Sequence, residues 1–93
     1  MNPEVREYRV CIMNLRRIGR EIDYALNYIT RYERYIVNGL LVNDDKSFDK
    51  DLDSLKENLT YKRNKIYNSI IPSLEAEMEA AMSRWGGLWE TLI

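Results

Sequence analysis

Apolar side chains recur at steps of three and four from the start of the chain, which is the signature of an amphipathic helix. With Tyr8 as position a of a heptad, a reads Tyr8, Leu15, Ile22, Ile29 and Ile36, and d reads Cys11, Ile18, Ala25, Tyr32 and Gly39. Such a seam predicts a coiled-coil-like helix over residues 3–41, roughly 60 Å long. Its start is marked by Asn2-Pro3-Glu4: a capping amide, a proline suited to the first helical position, and an acid that complements the amino end. The polar run 42–47, Val-Asn-Asp-Asp-Lys-Ser, predicts the loop, with Ser47 as the next cap.

A second helix is expected over 48–85. Its apolar positions are Phe48, Leu52, Leu55, Leu59, Ile66, Ile70, Leu74, Met78, Met82 and Trp85, with Lys62 in the slot between Leu59 and Ile66. Pro72 lies inside this pattern and, by removing a backbone donor, predicts a kink near 69–72. Gly86-Gly87 should interrupt the helix and leave 86–93 as a short tail. The expected fold is therefore all-α: one domain over 1–93, two long helices in an antiparallel hairpin. In that hairpin Ile36 comes near Leu55, Ile29 near Lys62, and Leu15 near 75–77, with Arg16, Arg17 and Arg20 alongside Glu75, Glu77 and Glu79.

The apolar stripe on helix 1 is too wide for a two-helix contact. Position e holds Ile12, Leu26 and Leu40, and g holds Tyr28, Tyr35 and Val42. Covering those flanks calls for a second hairpin, a homodimeric four-helix bundle, for a different protein partner, or for a compact three-helix monomer folded at Pro72.

Composition narrows the function classes. The formal net charge is −1, which does not favour a general polyanion binder. It averages two halves of opposite sign: residues 1–42 carry seven Arg and five acids, and residues 43–93 carry seven bases and ten acids. No apolar leader or membrane-length segment is evident, and the single Cys11 requires no oxidising compartment, so a cytoplasmic setting is expected. Histidine is absent, which removes the commonest general base and transition-metal ligand together. No catalytic residues, cofactor or metal are expected. Asp44-Asp45 lacks the spacing and glycine of a calcium loop, and Glu75 and Glu79 share a helix face without a further ligand to complete a site.

Two features remain as candidates. Arg6, Arg9, Arg16, Arg17, Arg20, Arg31 and Arg34 collect on the outer positions of helix 1, a cationic line able to track phosphates. In this respect the chain resembles Rop, the RNA-binding hairpin dimer, which implies a nucleic-acid contact as the alternative function. The same residues also suit a solvated face neutralised by Asp23 and Glu33. Near the end of the chain, Trp85, Leu88, Trp89 and Leu92 follow the spacing of a docking face for a partner protein. Trp85-Gly86-Gly87 also resembles, over three residues, the Trp-x-Gly turn of small helical-hairpin proteins exported by type VII secretion. There the motif joins the two long helices, whereas here it follows them. Lys62 reads as a residue that sets helix register, the tyrosines as residues at the core edge, and Cys11 as a small core residue. The leading expectation is a non-enzymatic adaptor that oligomerises and binds a protein through Leu26, Tyr28, Tyr35 and the Trp-rich tail.

Overall fold

The computed structural model describes residues 3–42 and 45–92, with side chains as far as Arg84. It is all-helical over those residues, apart from the connection between its two long helices. The first, α1, spans Pro3–Val37. The second arm runs as α2 (Lys46–Lys65), a π-helical turn (Ile66–Ile70) and α3 (Ile71–Leu92) without a break.

α1 ends four residues before the expected boundary, and Gly39 is the reason. Its φ is +73°, a left-handed conformation that costs glycine little. The Gly39 N–H donates to the Ile36 carbonyl at 3.0 Å and the Leu40 N–H to the Tyr35 carbonyl at 2.9 Å, the paired bonds of a Schellman cap. Gly39 is therefore a helix terminator and not a seam residue. Leu40, Leu41 and Val42 follow it into the loop. α2 is capped two residues earlier than expected: the Asp45 carboxylate, not Ser47, accepts from the Phe48 N–H at 3.0 Å.

Pro72 is accommodated inside the second arm. The turn before it widens from α to π, with the Ile71 N–H donating to the Ile66 carbonyl five residues back. A proline removes one donor and crowds the carbonyl four residues earlier, and a wider turn relieves that crowding. The extra residue in the turn also shifts the apolar phase. After the π turn the inward positions are Ile71, Leu74, Met78 and Ala81, whereas Met82, expected in the stripe, is exposed. The backbone stays helical through Gly86-Gly87 to Leu92, so the glycines do not interrupt the helix and no separate tail begins at 86.

The two long helices lie side by side. Among the described residues, ion pairs cross between them at Glu4–Arg84, Arg16–Glu75, Asp23–Arg63 and Glu33–Lys56. Partner numbers fall along the second arm as they rise along α1. The result is a rod of 68 × 19 × 15 Å with a radius of gyration of 20.5 Å, against about 12 Å for a compact domain of this length.

The seam of α1 is rotated by one residue from the expected one. Its inward residues are Val5, Tyr8, Ile12, Leu15, Gly19, Ile22, Leu26, Ile29, Glu33 and Ile36. In heptad terms position a is inward as expected, but its companion is e and not d. Cys11 and Ile18 are consequently exposed. The buried cluster of Ile12, Ile22, Ile66 and Ile71, backed by Leu15, Leu26, Leu59, Tyr67, Ile70, Leu74 and Met78, is centred on the level of the π turn. α2 contributes no buried residue. The half of the rod nearest the loop is thus the thinly packed half.

Candidate interaction surface

The charged residues of the seam decide which side chains face the partner arm and which face water. Lys62, expected in the seam, is exposed. Arg63 takes the inward place instead, its Nε donating to Asp23 Oδ1 and its guanidinium lying 5.1 Å from the centre of the Tyr67 ring. One heptad earlier Lys56 occupies the equivalent position and donates to Glu33 at 3.0 Å. Asp23 and Glu33, read from sequence as neutralising the outer Arg face, are committed to the second arm. These pairs are 38–43% exposed at their side chains, so each contributes only about 0–1 kcal/mol; their effect is on register.

Tyr67 explains a residue that sequence reasoning passed over. Its ring lies flat over Gly19: a Cβ added there would stand 2.5 Å from the phenolic oxygen and 2.6 Å from the adjoining ring carbon. A glycine inside a helix, at a position in phase with Ile12 and Leu26, was the available signal.

What the seam leaves out forms the candidate surface. Tyr28 is 64% and Tyr35 45% exposed, on the side of α1 that carries Ile18 at 48%. Phe48 of the second arm meets Tyr32 edge-on with ring centres 5.9 Å apart, which places it, and Leu55 two turns on, along the same side. The strip continues onto the loop end, where Val37 and Val42 are each 85% exposed beside Leu40 and Leu41. Leu26 does not belong to it; it packs against the buried cluster. Ile12 is buried too, so position e is filled within the chain along α1; exposed apolar side chains at d and g include Ile18, Tyr28 and Tyr35, with Val10, Tyr24 and Met13 exposed at c and f. The side chains of Trp85, Leu88, Trp89 and Leu92 lie outside the described residues.

All seven arginines of the outer α1 face are exposed. Among the described residues, only Arg16 of the seven forms an ion pair, with Glu75 at 3.4 Å. Arg17 and Arg20 do not join Glu77 and Glu79 there.

The grooves are shallow. One of about 550 Å³ is lined by Asp53, Lys56, Glu57, Thr60, Tyr61 and Asn64, all from α2, which makes it the surface of a single helix and not a cleft. A smaller one, about 160 Å³, does gather Arg9, Arg16 and Glu75, with Ile12, Met13 and Met78 between them. No group of three or more Cys, Asp or Glu is placed to share a metal ion among the described residues. No helix of the described residues is long and apolar enough to cross a membrane.

Comparison of the chain with family models, with curated proteins and with solved structures gave no match in any of the three.

Proposed function

We propose that the chain is a non-enzymatic interaction protein: an antiparallel helical hairpin, kinked at Pro72, that self-associates and docks a protein partner. The observation that carries this reading is the apolar strip of Ile18, Tyr28, Tyr35, Phe48 and Leu55, which runs from the level of the π turn to the loop end over the half of the rod where α2 buries nothing. Apolar surface of that extent is costly to leave in water and is typical of a surface meant to be covered. The total area agrees. The chain exposes 7382 Å², whereas a compact monomer of 11.1 kDa exposes about 5,700 Å². The surplus of roughly 1,700 Å² exceeds the roughly 800 Å² each partner contributes to a standard interface.

In this reading the flank of α1 serves self-association into a four-helix bundle. The loop end and the Trp-rich segment 85–92 serve a heterologous partner. An exposed free thiol at Cys11 suits a reducing, cytoplasmic setting. Light scattering across a dilution series tests the first half. A mass of twice 11.1 kDa is expected, and a mass of 11.1 kDa at every concentration would remove self-association.

A second reading rests on the exposed arginines of α1, a line without acids of its own paired to it beyond Glu75. It predicts retardation of RNA at low salt, weakening steeply as salt rises, and lost when Arg16, Arg17 and Arg20 are replaced by Ala. Absence of retardation at low salt would dismiss it.

A further inference from the structure

α1 carries two heptad seams, and only one of them is filled. The filled seam runs through positions a and e. One residue earlier along the helix, and so turned by about 100°, positions d and g repeat the same three–four spacing. Position d holds Cys11, Ile18, Ala25 and Tyr32; position g holds Asn14, Glu21, Tyr28 and Tyr35. Six of the eight are exposed, while Ala25 and Tyr32 are half-buried. A helix with two seams of this kind is built to have two helical neighbours, and the second arm supplies one of them.

We infer that the second neighbour is α1 of another copy of the chain, packed antiparallel through the d and g positions about a two-fold axis at residue 23. The inference rests on the self-association proposed above and adds its face and register. In an antiparallel pair each d residue meets a g residue of the other helix, so the numbers in every layer share one sum. Centring on residue 23 is the register that places all eight seam positions opposite one another.

That register also matches large side chains to small ones. Tyr35 meets Cys11 and Tyr28 meets Ile18, Asn14 stands opposite the Tyr32 hydroxyl, and Glu21 lies over Ala25. Interdigitation of unequal side chains is what close packing requires. Shifting by one heptad in either direction leaves two positions at one end of each seam without an opposite.

The charge in the seam has a counterpart as well. Arg63 meets Asp23, so the exposed Lys62 stands beside that level of its own α1. The register brings the second copy's Glu21 to the same level. A two-fold axis normal to the α1 pair leaves both second arms on one side, which closes a four-helix bundle. Phe48 and Leu55 then lie on the flank of α1 that the second copy covers.

The sole cysteine makes the register measurable. Cys11 and residue 35 are about 36 Å apart along one helix, too far to bridge within a chain. Tyr35→Cys is therefore expected to give a covalent dimer on non-reducing gels after mild oxidation, while the wild type and Tyr28→Cys do not. Because Tyr35 adjoins the helix cap, a second variant repeats the test away from it. Cys11→Ser with Ile18→Cys and Tyr28→Cys is expected to cross-link in the next layers, with helicity checked by circular dichroism. A dimer by light scattering in which neither variant cross-links overturns the face and register but leaves self-association standing. Cross-linking of the wild type through Cys11 would show a parallel pair and overturn the inference. A monomer at every concentration overturns the inference and self-association together.

Discussion

Replacing Ile66 with Ala is expected to cost about 2–4 kcal/mol, a large part of the total stability, and to leave the chain substantially unfolded at low denaturant. Ile66 is 7% exposed and sits where the π turn brings the second arm against Ile12 and Ile22. Truncating a buried Ile removes its transfer free energy and leaves a cavity, which together fall in the range of about 2–5 kcal/mol. Domains of this length are stabilised by roughly 5–14 kcal/mol. A rod whose buried apolar residues are Val5, Ile12, Ile22, Ile29, Ile66, Ile71 and Ala81 has few other contacts to absorb the loss. Leu55→Ala supplies the contrast. Leu55 is nearly half exposed, so in dilute solution its truncation is expected to cost less than about 0.5 kcal/mol. Urea melts followed by circular dichroism decide it, and a midpoint for Ile66→Ala indistinguishable from that for Leu55→Ala would contradict this placement of the core.

The contrast between those two leucine-like positions shows what the sequence pattern could and could not resolve. Helix content and the turn region are legible. Steps of three and four run through both arms, and Arg16 meets Glu75 as the charge pattern suggests. The rotation of the seam is not legible from hydrophobicity, because d and e compete. Position d holds Cys11, Ile18, Ala25 and Tyr32, whereas e holds Ile12, Gly19, Leu26 and Glu33. On apolar count d wins, yet the structure chooses e. The reason is tertiary: Gly19 admits the Tyr67 ring and Glu33 meets Lys56, so the two residues that look wrong for a core are satisfied by the opposite arm.

The same is true of the second arm. Lys62 keeps the apolar step, but Arg63 has an acid to meet and a ring to lie over. The π turn before Pro72 then adds one residue, so that Ile71 is buried beside Ile70, and farther on Ala81 is buried where Met82 is exposed. A proline in a long helix predicts a disturbance, but not whether the chain bends or widens. Gly39 is different, since Asn38-Gly39 after the last strong apolar position was a readable stop signal. The heptad count overrode it. Apolar side chains stay exposed at Ile18, Tyr28 and Tyr35, on d and g, whereas the heptad pattern predicts surplus flanks at e and g.

The Gly19–Tyr67 contact turns this rotation of the seam into a measurable sign. In an ordinary exposed helix, Gly→Ala stabilises by about 1 kcal/mol through backbone entropy alone. At position 19 the new methyl would enter the Tyr67 ring at 2.5–2.7 Å, well inside van der Waals contact. The Arg63 guanidinium, itself tied to Asp23, lies 5.1 Å from the centre of that ring, so a shift of the ring also disturbs this contact. Overpacking of this kind costs about 1–3 kcal/mol. Gly19→Ala is therefore expected to be net destabilising by about 1 kcal/mol, and Gly19→Leu by about 3 kcal/mol. In a Tyr67→Leu background, which removes the far end of the ring, Gly19→Ala should instead stabilise by about 1 kcal/mol. The resulting coupling of about 2 kcal/mol lies well above what independent sites show. Chemical melts of the four proteins of this cycle measure it. If d were the inward position, residue 19 would face water, Gly19→Ala would stabilise in both backgrounds, and the coupling would vanish. The outcome bears directly on the proposed interface, because the d and g positions can face a second copy only if e is where the second arm packs.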